Sequence, residues 1–331
     1  MAGSTVVSVA LCTRNGQRFI AEQIDSILNQ SVLPTEIVIS DDASSDDTIP
    51  AAEAAVERWR AEHNGQAVEV RILSNAVPLG VAGNFEQAIA ATTGEFIILA
   101  DQDDVWRPDR VELALAAFDR RPDTLLVHAD ARLVDGEGHR LDDSLFSAYD
   151  VNAGVITAIR EGRAFEVLAR RTIVTGATTM IRRRLADLAM PFPSGWVHDE
   201  WLAIVASAFQ GVAVIDEQII DYRQHGGNAI GASTLSFLGK LRRMLEPRTD
   251  RNRRLLDRAG ALADRFAVMP LLDVSFVEAS AEMLAHEIAR SALPAARIRR
   301  LVPVARELRT GRYSRFGRGP ADAVRDLLQP V

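Results

Sequence analysis

Apolar and polar positions follow a regular order over the first hundred residues. Thr5 to Cys12 is a short apolar, β-branched run, followed by the polar loop Thr13-Arg14-Asn15-Gly16 and then by Phe19, Ile20, Ile24, Ile27 and Leu28 at helical spacing. Glu36 to Ser40 repeats the strand pattern and ends abruptly in the polar stretch Asp41 to Thr48, ahead of an Ala- and Glu-rich helix over Ile49 to His63. Val68 to Leu73 predicts a third strand and Asn84 to Ala91 a third helix. Phe96 to Ala100 predicts a fourth strand running into Asp101-Gln102-Asp103-Asp104. This alternation predicts an α/β fold with a mainly parallel sheet, helices on both faces, and a ligand crevice at the carboxyl ends of the strands. Strands one, two and four each run into a loop rich in Asp, Asn or Thr, so three polar loops are expected to share that crevice.

Past residue 110 the alternation loosens. Leu125 to His128 and Ala213 to Ile215 read as strands, Arg182 to Ala189 as a short helix, and Trp201 to Phe209 as a buried helix following His198-Asp199-Glu200. From Thr234 the pattern is helical, with Pro247, Pro270, Pro294 and Pro303 as breaks. Leu235, Leu238, Leu241 and Leu245 recur beside Lys240, Arg242 and Arg243. Such a helix either lies on an anionic membrane surface or packs on the rest of the chain or on a second copy in a homo-oligomer.

Composition narrows the classes. In 331 residues, 47% are apolar and 25% charged, which excludes a disordered, collagen-like or disulfide-stapled chain. Cys12 is the only cysteine, so there is neither an internal disulfide nor a zinc site of several thiolates. No apolar run approaches the ~20 residues of a spanning helix, and the first residues lack a basic n-region. The expectation is a cytoplasmic protein, at most peripheral on the inner face of a membrane. The net charge of −7 conceals a division: residues 235–331 carry 19 basic and 11 acidic side chains, leaving the remainder strongly acidic. That acidic body argues against nucleic-acid binding. Lys240 is the only lysine, so side-chain contacts to phosphate fall to arginine forks.

Asp101-Gln102-Asp103 is the only Asp-x-Asp triplet in the chain, and it stands at a strand exit. Two such carboxylates can hold a hard divalent cation and leave positions open for phosphate oxygens. If that cation bridges a diphosphate, the natural chemistry is departure of a nucleoside diphosphate. A second carboxylate must then take the proton from the attacking hydroxyl. Asp199, at the head of an apolar helix, suits that role, although its position also suits a helix cap.

These residues fall in segments that resemble family-two glycosyltransferases of the GT-A fold, and within them a rhamnosyltransferase-like group. The matching segments are Ser8 to Gly16, Glu22 to Ser31, Ile39 to Thr48, Asn75 with Leu79 to Phe85, and Gly94 with Asp101 to Pro108. They continue with Gly176 to Met180, His198 to Trp201, and Tyr222 to Asn228. Together they cover roughly residues 5–232, in the family's order.

The resemblance implies a GT-A, Rossmann-like nucleotide-diphospho-sugar transferase domain over residues 1–232 and a basic, mainly helical C-terminal extension over 233–331. It implies inverting transfer of a sugar, best matched by L-rhamnose from dTDP-rhamnose, with a UDP-linked galactofuranose or hexose as the alternative. The acceptor is a hydroxyl of a glycan or lipid-linked molecule in cell-surface polysaccharide synthesis. Carried over onto this chain, Thr13 and Asp41 contact the nucleoside, with Asp41 accepting from the pyrimidine N3–H and the backbone from Cys12 to Arg14 lining the base and ribose; Arg14 stands where the family often has Tyr, and its side chain either reaches a phosphate or is solvated. Asp101 and Gln102 sit at the donor, and Gly176 lines a sugar. Asp101, Asp103 and His225 hold Mg²⁺ or Mn²⁺, and Asp199 is the base, with Glu200 its second choice. By itself, His225 reads sooner as a solvated loop residue, and only the resemblance makes ligation an equal reading; Trp196 and Trp201 read sooner as core than as sugar-stacking faces. Ala43 stands where the family often has Gly, which bears on any left-handed backbone there. A sugar nucleotidyltransferase is the rival enzyme, but Cys12 to Gly16 is a poor substitute for its Gly-rich basic loop. A non-catalytic nucleotide-binding scaffold is the rival from another class.

Overall fold

The computed structural model describes residues 6–63, 67–225 and 248–330. Strands β1 (Val7–Thr13), β2 (Glu36–Asp41) and β4 (Phe96–Asp101) pair in parallel, with Ser8 opposite Glu36 and Val7 opposite Phe96, and β3 (Glu69–Ser74) closes that edge against β2. All of β1 and β2 is buried, as expected for parallel strands covered on both faces. The two-residue period of β1 divides the core. Ala10 and Cys12 join the apolar cluster on one face of the sheet, while Val7, Val9 and Leu11 join the cluster on the other.

The first four strands thus have the parallel arrangement their alternation predicts, whereas the second half of the sheet, where that alternation loosens, is mixed. β8 (Met180–Arg182) runs antiparallel between β4 and β6 (Leu126–Val134). β9 (Val212–Arg223) lies parallel to β6, and β5 (Val105–Trp106) antiparallel to β9. The order is β3-β2-β1-β4-β8-β6-β9-β5, with β7 (Arg140–Ser144) attached to β6. Helices α1 (Ile20–Leu28), α2 (Thr48–Glu62) and α3 (Gly80–Ala91) follow the first three strands, as the periodicity predicts. α4 (Arg110–Arg120), three short helices (α5 Leu145–Ala148, α6 Ala153–Arg160, α7 Ala164–Leu168) and α8 (Arg183–Ala189) lead to α9 (His198–Ala208). Seven consecutive residues of α9, Trp201 to Ser207, are essentially fully buried, so this helix runs through the interior.

The C-terminal region is helical as expected: α10 (Arg248–Val268), α11 (Val274–Ser291), α12 (Leu301–Arg309), α13 (Arg312–Phe316) and α14 (Pro320–Leu328). Leu262, Phe266 and Met269 of this region enter the same apolar cluster as Trp201 and Phe165. Arg265 places its guanidinium on the carbonyls of Leu188, Ala189, Met190 and Pro191, at 2.6 to 3.2 Å, so a cation from the extension closes the C-terminal end of α8. The boundary expected at 232/233 and the leucine-rich stretch 235–245 both lie outside the described residues. Among the described residues, no helix is long and apolar enough to cross a membrane.

Candidate active site

The exits of β1, β2 and β4 open into one cavity of about 420 Å³, whose far wall is made by the loop before β8 and the first turn of α9. Adjacent residues at the end of β2 point to opposite sides. Asp41, 1% exposed, accepts from Thr13 Oγ1 at 2.8 Å and from Ser44 N and Oγ at 2.8 and 2.5 Å, so its carboxylate ties the β1 and β2 loops together behind the wall. Asp42 faces the cavity and accepts from the backbone of Leu79 and Gly80 at the head of α3, at 2.5 and 3.0 Å. Thr13 and Arg14 line the cavity, and Gln102 clamps Arg14 by both its amide and carbonyl, at 2.7 and 3.0 Å. A Cβ at Gly16 would stand 2.2 Å from the Gln102 side chain and displace this clamp.

Ala43 has φ +61°, a left-handed conformation that an alanine adopts at a cost of roughly 1 kcal/mol or more. Ala43→Gly is therefore expected to stabilise the fold by about 1 kcal/mol. Equilibrium urea unfolding reads this directly, and an unchanged or lower midpoint would contradict it.

The end of β4 concentrates acid. Burial, the neighbouring charge of Asp103 and then that of Asp199 push Asp101 up to about 7. Burial also raises Asp103, opposed by His225, whose Nε2 lies 2.8 Å from Asp103 Oδ2. Burial, then Asp103 and Asp101, push Asp104 well up; one of its oxygens accepts from Arg223 N and the other is buried without a partner among the described residues. Buried Arg110 stacks on Trp106 at 3.8 Å and is drawn down to about 9 by burial, against the pull of Asp104 and Asp101. Arg223 braces the loop by donating to the Asp103 carbonyl at 2.8 Å. Half-buried Asp101 and buried Asp103 and Asp104 face the guanidinium groups of Arg110 and Arg223, the latter also paired with Glu22, which leaves an excess of negative charge that a cation would relieve.

Among the described residues, no group of three His, Cys, Asp or Glu converges as a ready metal cage. What the fold does assemble is the pair Asp103 and His225, beside Asp101. An oxygen and imidazole donor set of this size suits Mg²⁺ or Mn²⁺ bound largely through phosphate oxygens and water.

On the far wall, α9 begins at His198 with Val197 as its cap residue, so Asp199 lies inside the first turn rather than at the cap. Its Oδ2 accepts from Gly176 N at 2.9 Å and its Oδ1 from Glu200 N at 2.7 Å, and burial raises it above the usual carboxylate range. Gly176 admits no side chain, because a Cβ would stand 2.5 Å from His198 Nε2. His198 is stacked on Phe85 at 3.8 Å, and burial drives its imidazole down to about 3, so it is neutral. Glu200 is already engaged: Thr172 donates to it and Arg258 of α10 lies 2.5 Å away. Arg258 also stacks on Trp196 at 4.0 Å and accepts from its indole N–H at 3.1 Å through its carbonyl.

The cavity thus gathers Thr13, Arg14, Asp101, Gln102, Asp103, Gly176 and Asp199 on its wall. Asp41 stands behind Thr13, and His225 meets the wall through Asp103. Trp196 and Trp201 are core: Trp201 is wholly buried with its N–H on the Ala189 carbonyl at 2.8 Å. The aromatic faces on the cavity are instead Phe85, Tyr149 and Tyr222. Sequence reasoning did not single out Asp42, Asn84 or Tyr149. The alternation of β2 carries a signal for Asp42, whereas nothing local marks Tyr149.

The model of the family described as glycosyl transferase family 2 matches residues 8–187 of the chain. An uncharacterized glycosyltransferase of Nostoc sp. is 25% identical over 226 residues, 67% of this chain and 66% of that one. An uncharacterized protein of Mycobacterium tuberculosis is 26% identical over 223 residues, 66% of this chain; the match spans 59% of the relative's length. Chondroitin synthase of Escherichia coli is 30% identical over 138 residues, 42% of this chain and 19% of that protein. In structure, residues 1–349 of Staphylococcus aureus TarS, solved with UDP-GlcNAc, superimpose with a TM-score of 0.55 at 16% identity, covering 92% of this chain and 81% of that one. The architecture is that of a GT-A α/β domain carrying a helical C-terminal region, and the chain belongs to glycosyl transferase family 2.

Proposed function

We propose that the chain is an inverting, divalent-metal-dependent glycosyltransferase that moves a sugar from a nucleoside diphosphate donor to an acceptor hydroxyl. The observation that carries this reading is a single cavity lined both by the carboxylates at the β4 exit and by Asp199 of α9. Thr13 and Arg14 hold the nucleoside end, with Asp41 fixing the Thr13 hydroxyl from behind. Asp199 takes the acceptor proton, and the acceptor oxygen forms its bond to the anomeric carbon. The bond from that carbon to the diphosphate oxygen breaks, its electron pair leaves with the nucleoside diphosphate, and the anomeric configuration inverts. Asp103 and His225, with Asp101 beside them, would hold a Mg²⁺ or Mn²⁺ ion, which would supply charge neutralisation for the leaving diphosphate. The backbone N–H of Gly176 aims the Asp199 carboxylate, and neutral His198 adds no competing charge.

dTDP-rhamnose is the proposed donor, on the strength of the closing segment Tyr222 to Asn228; a UDP-linked galactofuranose or hexose is the alternative. The proposed acceptor is a glycan or lipid-linked hydroxyl, used in the cytoplasm or at the inner membrane face. Incubation of dTDP-rhamnose and a panel of UDP-sugars with Mn²⁺ and candidate acceptors, followed by NMR of the product, tests the reading. Inverted product from one donor class is expected; no nucleoside diphosphate release from any donor would sink it.

The pairing of Arg258 with Glu200 makes a separate prediction. Burial raises Asp199, and the nearby Arg258 charge holds it down. A general base works only when deprotonated, so kcat/KM falls as pH drops through this raised value. Arg258→Ala removes the positive charge, raises Asp199 further, and should move the acid limb of kcat/KM to higher pH. Arg258→Lys keeps the charge and should leave the limb near its original place. Coincident profiles for all three proteins would contradict the coupling.

A further inference from the structure

We infer that the outer face of the C-terminal helical bundle, centred on Arg297–Arg309, is a docking surface for anionic lipid. The segment has two faces of opposite character. Inward, Arg300 is buried on the carbonyls of Pro294, Ala295, Asp326 and Gln329, Val304 is 1% exposed, and Glu307 is bound to His286 at 2.7 Å. Outward stand Ile298, Leu301, Val302 and Leu308, at 74, 50, 70 and 41% exposure. On α12, Leu301, Ala305 and Leu308 form one row at helical spacing, and Val302, Arg306 and Arg309 form the row beside it. Exposed Arg297 and Arg299 extend the cationic side into the preceding turn.

Charge decides the occupant. None of Arg297, Arg299, Arg306 and Arg309 is in an ion pair with a described carboxylate. The only acids between residues 288 and 330, Glu307, Asp322 and Asp326, are all buried, and exposed Glu282 of α11 is paired with Arg315, so no exposed carboxylate of this stretch neutralises these arginines. Unpaired guanidinium groups interleaved with exposed aliphatic side chains match an interface where phosphate headgroups meet hydrocarbon. Nucleic acid would satisfy the arginines and leave the aliphatic row in water. The strongly acidic remainder of the chain would be repelled by the same anionic surface, which orients the molecule with this face toward it. The surface lies on different residues from the 235–245 stretch singled out in the sequence. It extends the lipid-linked part of the proposed function, and its assay uses neither donor nor turnover, so failure here leaves the transfer reading standing.

The test is co-sedimentation of the full chain with vesicles of phosphatidylcholine alone and of phosphatidylcholine with 30% phosphatidylserine, at low and high salt. Retention is expected on the anionic vesicles at low salt only. Val302→Asp with Arg306→Glu and Arg309→Glu should lower it at least about tenfold, from roughly fivefold per arginine lost near the surface. The milder pair Ile298→Ser and Val302→Ser should lower it without affecting thermal unfolding. Absence of wild-type retention, equal retention on neutral vesicles, or unchanged binding by these variants would overturn the assignment. So would loss confined to Arg242→Glu with Arg243→Glu, or a wild-type dimer that the triple variant dissolves without any vesicle binding.

Discussion

Asp199→Asn is expected to reduce kcat for sugar transfer by about 10³-fold or more, within the range that removal of a positioned general base produces. The amide nearly matches the carboxylate in size and can still accept the Gly176 N–H through its oxygen, losing only the bond from Glu200 N, so the fold and the donor site should survive. It cannot take a proton from the acceptor. Donor KM is expected to change little, because Asp199 faces the acceptor side of the reaction in this account. A carboxylate that merely favoured the positive end of α9 would behave differently: its loss would cost under ~1 kcal/mol of stability and leave the rate nearly intact. Glu200 does not substitute, since Thr172 and Arg258 already occupy it. Turnover by the Asn variant within tenfold of wild type, measured at saturating donor and acceptor, would remove Asp199 from the chemistry.

Asp103→Ala is expected to abolish nucleotide-dependent binding of Mn²⁺, read as persistence of the free-ion signal in electron paramagnetic resonance when UDP or dTDP is added. Asp103 is the carboxylate in direct contact with His225, and its charge acts on both Asp101 and Asp104. Among the described residues, removing it deletes one of the two groups in direct contact at this position, and His225 with Asp101 beside it holds such an ion weakly. His225→Ala should weaken binding less than Asp103→Ala, because a carboxylate contributes net charge and a neutral imidazole does not. Unchanged Mn²⁺ uptake by Asp103→Ala would place the metal elsewhere.

The features that resisted reading from sequence share a physical cause. β1, β2 and β4 were legible because fully buried parallel strands are continuous apolar runs, and their exits showed where polar side chains collect. β8 escaped because three residues are too few to express a two-residue period, and its antiparallel insertion changes the character of the whole sheet. Asp41 and Asp42 could be ranked only with β2's facing known, since one step along a strand exchanges cavity for interior. Trp196 and Trp201 flank the proposed base in sequence but turn their rings inward. The link from Arg258 to Glu200 spans 58 residues and depends on how α10 packs, which no local pattern encodes. Ala43 shows the converse: the backbone keeps the left-handed conformation that Gly would favour, and the chain tolerates the strain.

The most direct test of a nucleoside diphosphate site bounded by these carboxylates is calorimetric titration of the full chain with dTDP and with UDP, each in Mn²⁺ and in excess chelator. Exothermic, metal-dependent binding of one nucleotide in preference to the other is expected, which also fixes the donor class. Binding of neither nucleotide in the presence of Mn²⁺ would contradict it.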